Sequence, residues 1–181
     1  PILNALDINK NIGIAVGEKG TILNTTDNGR VWNYKGQLLL GISTLQTFLD
    51  VKVRDNGKAM LAGEGGYGRE MDIDGSNIDP FSYNTSSAAV NLNSVEFNEY
   101  GEGILTAGNR LFRLPTGSTV WQLAYTAPGG TVFNDAEVQG KYAIAVGDNG
   151  VIYRSENFHN NASPSFSLKT APSGTTTSNF T

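Results

Sequence analysis

Residues whose types and spacing suggest chemistry are few in this chain. Asp72-Ile73-Asp74-Gly75-Ser76-Asn77-Ile78-Asp79 gathers carboxylate and amide oxygens within one turn, the donor set that a hard Ca²⁺ prefers. The segment lacks full EF-hand spacing and the closing bidentate Glu, so it also reads as a plain hairpin between strands. Gly17-Glu18-Lys19-Gly20 and Gly63-Glu64-Gly65-Gly66 look like phosphate cradles, but neither has the glycine pattern that leads into a helix. Arg30, Arg54, Arg69, Arg110, Arg113 and Arg154 could each hold a carboxylate bidentately, and no flanking pattern assigns any of them to such a clamp. His159, the single His, sits in the polar run Asn157-Phe158-His159-Asn160-Asn161 and reads as a solvated turn residue without a spaced partner. With no Cys, thiol nucleophiles, zinc fingers and disulfides are excluded. The expectation is no catalytic, cofactor-binding or metal-ligating residue, no cofactor and no enzymatic activity.

The elements that would position these residues come from a repeat. Ile14-Ala15-Val16-Gly17-Glu18-Lys19-Gly20-Thr21-Ile22-Leu23 recurs as Ile144-Ala145-Val146-Gly147-Asp148-Asn149-Gly150-Val151-Ile152-Tyr153, with weaker copies at Met60 to Gly66 and Leu105 to Phe112. The copies are about 40 to 45 residues apart, the period of a four-stranded propeller blade. Each unit divides into short β-branched and apolar runs separated by Asn, Gly and Asp turns. This predicts an all-β fold, a small β-propeller of four four-stranded blades over residues 1–170, with blades at 5–36, 47–84, 92–126 and 132–170, followed by a polar extended tail at 171–181. In each copy the first strand is innermost and the last outermost. The Ala-Val-Gly strand lies in the crowded part of the blade, where small residues let sheets approach and the glycine is expected to permit the turn.

Thr25-Thr26-Asp27-Asn28-Gly29-Arg30-Val31-Trp32 is a second signature. It resembles the Asp-box, the Ser/Thr-x-Asp-x-Gly-x-x-Trp hairpin of bacterial neuraminidase repeats, with Thr25, Asp27, Gly29 and Trp32 at the matching positions. The resemblance implies a structural role: Asp27 accepts turn amides, Gly29 supplies a positive φ and Trp32 returns an aromatic ring between sheets. Phe81, Trp121 and Phe166 are the corresponding outer-strand aromatics, and Asp74-Gly75, Pro115-Thr116-Gly117 and Ser155-Glu156-Asn157 look like reduced versions of the turn.

Residues 14 to 32 as a whole resemble the photosystem II stability and assembly factor family. That resemblance implies a propeller used for protein contacts without catalysis. The chain departs from the family in having four blades and no Arg cluster, so the photosynthetic role does not transfer. Sialidases share the Asp-box and are the enzymatic rival, but they use six blades and a set of site residues that this chain does not display.

The 181 residues carry 13 Lys and Arg against 17 Asp and Glu, a net charge of −4 that argues against nucleic-acid binding, which needs clustered cations. No apolar run approaches the roughly 20 residues of a membrane span. Pro1 is expected to follow a removed initiator Met, the alternative being a fragment of a longer chain. Gln37 to Gln46 is more apolar than a solvated loop, and Leu38, Leu39, Leu40 and Ile42 are candidates for a partner interface or for burial beneath the next blade. The tail, if ordered, would dock on a neighbouring chain. The resulting reading is a noncatalytic binding or structural module for protein partners, in a homo- or hetero-oligomeric assembly such as a virus particle. The alternative is a bacterial assembly factor or a secreted glycan-recognition module, and a sialidase-like glycosidase is the last reading. A virion or an extracellular or periplasmic setting is favoured.

Overall fold

Each repeat folds as an up-and-down antiparallel sheet because its strands are short, β-branched and joined by turns whose residues tolerate positive φ. The computed structural model describes residues 1–35, 46–83 and 90–169. Blade 1 is β1 (Leu3–Asn9), β2 (Ile12–Gly17), β3 (Ile22–Thr25) and β4 (Asn33–Tyr34). Blade 2 is β5 (Phe48–Val53), β6 (Lys58–Gly63), β7 (Arg69–Asp72) and β8 (Asp79–Pro80), followed by β9 (Ser82–Tyr83). Blade 3 is β10 (Leu92–Phe97), β11 (Gly103–Ala107), β12 (Arg110–Leu114) and β13 (Val120–Thr126). Blade 4 is β14 (Phe133–Gln139), β15 (Tyr142–Gly147), β16 (Val151–Ser155) and β17 (Ser167–Lys169). Strand order within every blade follows chain order.

One segment departs from the expected blade boundary. The second blade, expected over 47–84, has β8 as its outer strand. The chain then turns away, and β9 adds to blade 3 parallel to β13, with Ser82 opposite Val120 and Tyr83 opposite Trp121. Pro80 has no N–H with which to extend the ladder.

The chain divides into two compact units, one holding blades 1 and 2 and the other blades 3 and 4. In the first, Ile14, Val16 and Ile22 of blade 1 pack with Phe48, Val51, Val53, Ala59, Leu61 and Met71 of blade 2. In the second, Ile104 and Leu111 of blade 3 pack with Phe133, Ala136, Val138, Ala143, Ala145 and Tyr153 of blade 4. Each large aliphatic or aromatic side chain so buried contributes about 1.5–3 kcal/mol.

Polar clasps repeat at both seams. Asn4 Nδ2 donates to the Phe48 carbonyl at 2.8 Å, and Asn93 Nδ2 to the Phe133 carbonyl at 2.7 Å. In blades 1, 2 and 4 the inner strand bulges at the same place, between Leu3 and Ala5, Phe48 and Asp50, and Phe133 and Asp135.

The glycine ending β2, β6 and β15 has a reason other than the expected turn. Gly17, Gly63 and Gly147 are extended, and a Cβ on them would lie 2.0, 2.6 and 2.2 Å from the carbonyl oxygens of Ile2, Thr47 and Val132. The positive φ falls two residues later, on Lys19, Gly65 and Asn149. The amides of Glu18, Glu64 and Asp148 donate to those same three carbonyls at 2.9 Å, so the glycine lets the inner strand cross close enough to make that bond.

Candidate functional site

The β3–β4 hairpin is organised by its own side chains. Thr25 Oγ1 accepts from the amides of Asp27 at 3.3 Å and Gly29 at 3.0 Å, while its hydroxyl donates to Asp27 Oδ1 at 2.8 Å. Asp27 Oδ1 in turn accepts from the Val31 amide at 2.9 Å. The Val31 amide, followed by the Thr25 hydroxyl, holds the Asp27 carboxyl below its ordinary range. Asn28 and Gly29 both have positive φ, of 60° and 81°. The Trp32 ring lies over Gly13, where a Cβ would come within 3.3 Å of its edge.

Blade 4 carries a longer copy of this hairpin. Ser155 Oγ takes the place of Thr25 and donates to Asn157 Oδ1 at 3.1 Å, which accepts from the Ser165 amide at 3.0 Å as Asp27 does from Val31. Four extra residues separate the two ends, and they carry His159 and Asn160 out of the hairpin.

These two residues reach Glu102, which precedes β11 and is completely buried. His159 Nδ1 lies 2.9 Å from Glu102 Oε2, and the Asn160 amide donates to Oε1 at 3.1 Å. Arg113 Nη2 pairs with Glu102 Oε1 from β12. Burial raises the Glu102 carboxyl, but the bonds from His159, Asn160 and Arg113 outweigh it and hold the group below the usual range. Asn160 Nδ2 lies 2.8 Å from His159 Nε2, so an imidazole protonated on Nδ1 satisfies both neighbours. The exposed ring of Tyr100 stacks on the imidazole with centroids 4.2 Å apart. His159 is therefore not the solvated turn residue its polar neighbours suggest, because the buried carboxylate that orders it lies 57 residues away. The one sequence signal for this pairing is the extra length of the fourth hairpin.

In the first unit, Asn9, Lys10, Asn11 and Ile12 of the β1–β2 turn face Val53, Arg54, Asp55 and Gly57 of the β5–β6 turn, with Ile73, across a cleft of about 140 Å³. Asp55 Oδ1 receives Lys10 Nζ at 3.1 Å and Asn9 Nδ2 at 3.2 Å, and these bonds lower its pKa. Arg54 pairs with Glu70 at 3.8 Å, and burial lowers the pKa of its guanidinium.

The Asp72 to Asp79 segment is the β7–β8 hairpin. Asp72 takes Lys58 Nζ at 2.6 Å and Asn77 Nδ2 at 2.6 Å, and Asp74 takes the Ser76 amide at 2.8 Å and hydroxyl at 2.6 Å. Among the described residues no group of three or more His, Asp or Glu side chains is placed to hold a metal ion. Four of the six arginines considered for a sugar clamp have other engagements: Arg54 with Glu70, Arg113 with Glu102, Arg154 with Glu156, and Arg69 over the Tyr67 ring. Of the outer aromatics, Phe81 packs on Gly68, Trp121 on Phe97 and Phe166 on Tyr125. Leu38, Leu39, Leu40 and Ile42, and the tail at 171–181, lie outside the described residues. No described helix is long and apolar enough to cross a membrane.

No protein-family model and no curated protein matches the chain. Solved structures do. YCF48 bound to D1 peptide superposes with a TM-score of 0.60 at 18% identity, over 92% of this chain and 52% of that one. The computationally designed Ika4 protein gives 0.62 at 11% identity, over 84% of this chain and 89% of the design. The GH74 enzyme of Niastella koreensis gives 0.65 at 10% identity, over 87% of this chain and 28% of the enzyme. The fold is a small β-propeller of four four-stranded blades. The chain spans about half the length of the YCF48 structure, and the low identities limit the likeness to fold.

Proposed function

We propose that this propeller is a noncatalytic module that binds a protein partner in extended form at the cleft between the β1–β2 and β5–β6 turns. The carrying observation is the cleft's lining: Ile12, Val53 and Ile73 are apolar, while Lys10 and Asp55 offer both signs of charge at highly exposed positions. A peptide of mixed polarity fits such a lining. A glycosidase instead needs a carboxyl held protonated near neutral pH beside an ionised one. The acid at this cleft, Asp55, is pushed the other way by Lys10 and Asn9. The YCF48 structure was determined with a bound peptide, which supports protein contact as a use of this fold, whereas the GH74 structure is that of an enzyme.

The test is selection of peptides on the immobilised chain, followed by titration of the enriched sequences. Lys10→Glu and Asp55→Lys are each expected to weaken binding at least tenfold without shifting the thermal midpoint. Equal binding by both variants, or turnover of a fluorogenic sialoside or a xyloglucan oligosaccharide, would overturn the reading. A glycan-recognition reading draws on the exposed Tyr100 ring over His159, and a glycan array compared with Tyr100→Ala separates it from peptide binding.

A further inference from the structure

The tripeptide Asp-Asn-Gly occurs three times, at 27–29, 55–57 and 148–150, each time in a turn after a strand. Asparagine before glycine is open to attack by its own backbone, because glycine has no Cβ to keep its amide nitrogen away from the asparagine side-chain carbon. The tripeptide is the same at all three places, so the surroundings decide which one reacts. Asn28 is held at both of its peptide units: its own amide donates to the Asn11 carbonyl at 3.1 Å, and the Gly29 amide donates to Thr25 Oγ1 at 3.0 Å. Its φ of 60° is also one that a non-glycine residue keeps only where its neighbours fix it. Asn149 has the same conformation, with φ of 61° in the turn Asp148–Gly150, and the Asp148 amide donates to the Val132 carbonyl at 2.9 Å.

Asn56, in the β5–β6 turn, differs on each point. It is exposed and its φ is not positive. The Lys58 amide donates to its Oδ1 at 3.1 Å, an Asx turn that folds the side chain back over the Gly57 peptide and draws electrons from the side-chain carbonyl. The Gly57 amide, which would be the attacking group, donates to the Arg54 carbonyl at 3.3 Å, beyond the usual length of an N–H···O bond. A Cβ on Gly57 would meet nothing within 4 Å, so this peptide has room to turn onto the side chain.

We propose that Asn56 is a site of spontaneous deamidation on the rim of the cleft between the β1–β2 and β5–β6 turns. The Gly57 amide gives its proton to hydroxide, and its nitrogen bonds to Cγ of Asn56. The bond from Cγ to the side-chain nitrogen breaks, and that nitrogen takes a proton from water as it leaves as ammonia, which restores the hydroxide. Water then opens the five-membered imide at one of its two carbonyls, giving Asp or isoaspartate; overall one water is consumed and one ammonia released. Either product places a second carboxylate next to Asp55, whose Oδ1 already receives Lys10 and Asn9. Isoaspartate also adds a methylene to a backbone pinned on both sides, with the Arg54 amide on the Lys58 carbonyl at 2.8 Å and the Ile73 amide on the Gly57 carbonyl at 3.1 Å. The reaction needs only this chain and water, whatever occupies the cleft.

Storage of the folded chain in mildly alkaline buffer, followed by peptide mapping by mass and labelling with an isoaspartyl methyltransferase, tests this. Each rate is taken relative to the same site in guanidinium chloride, where only the shared tripeptide acts. On that scale Asn56 is expected to convert at least about fivefold faster than Asn28, the factor that one firmly made hydrogen bond on the attacking amide is worth. Asn56→Ser is expected to remove the first acidic species from an ion-exchange profile of the stored chain and to leave conversion of Asn28 unchanged. Asn28 or Asn149 converting ahead of Asn56, all three converting together in the folded chain, or no conversion at Asn56 over the time in which the denatured chain converts fully would overturn the proposal. Peptide binding by freshly prepared chain is unaffected by any of these outcomes, which keeps them separate from the test of the cleft.

Discussion

The Nδ1 atom of His159 lies 2.9 Å from the Oε2 atom of Glu102, a carboxylate with no exposed surface. The contact ties the long hairpin of blade 4 to the start of β11 in blade 3, and Arg113 and the Asn160 amide complete the shell of the carboxylate. Such a group matters less for its net worth than for what its loss leaves behind. A buried charge without its partner is strongly destabilising, whereas removal of both partners is often tolerated.

Glu102→Ala is accordingly expected to destabilise the chain by about 3–5 kcal/mol, because it strands the Arg113 guanidinium in the interior. Paired replacement with Arg113→Met and Glu102→Leu is expected to cost less than Glu102→Ala alone. His159→Ala, which removes one hydrogen bond from a half-buried side chain, is expected to cost about 1 kcal/mol. Urea unfolding of these variants checks the order.

Acid should weaken the fold through the same carboxylate and through Asp27. Both have folded-state pKa values below their ordinary ones, so the unfolded chain binds the additional protons as pH falls. Their stabilisation is complete above the ordinary carboxyl range, declines from about pH 5 downward, and is lost once the pH passes below the folded values. The urea midpoint between pH 7 and pH 3 is expected to fall less steeply in Asp27→Asn than in the parent chain. An unchanged slope would remove Asp27 from this role.

Glycine replacements separate close approach from turn conformation. Gly17→Ala places a methyl 2.0 Å from the Ile2 carbonyl oxygen and is expected to cost at least about 1–3 kcal/mol by forcing β1 and β2 apart. Gly117→Ala has nothing within 4 Å and only its φ of 76° to oppose it, so a cost of about 1 kcal/mol is expected. Thermal midpoints of the two variants should differ in that order.

The β3–β4 hairpin yields a graded series. Thr25→Ser keeps the hydroxyl that serves Asp27 and Gly29, whereas Thr25→Val removes it and is expected to cost about 1 kcal/mol, since two partly buried amides then lack their acceptor. Comparable midpoints for the two variants would place the stabilisation in packing against Gly13 and not in the hydroxyl.

Much of the fold is written in local pattern. The Ile-Ala-Val-Gly runs and the turn residues between them mark strand positions directly, because alternation and positive-φ demand act over a few residues. The bonds among Thr25, Asp27, Gly29 and Val31 are legible for the same reason, because their partners lie within six residues, whereas the bonds of Thr26 and Asn28 with Asn11 and the seat of Trp32 over Gly13 join separate segments. The role of Gly17 was less legible, since the carbonyl it accommodates belongs to Ile2, and no property of the Gly-Glu-Lys-Gly run distinguishes close approach from turn conformation.

By itself the sequence determined the four repeats, the all-β class and the absence of cysteine. Only the tertiary structure decided that β9 pairs with β13 of blade 3 and that Glu102 is buried with His159 and Arg113. The physical reason is range. Propensity and periodicity describe what one strand prefers, while burial and ion pairing depend on which other strand or hairpin arrives beside it, and that is settled only when distant segments pack.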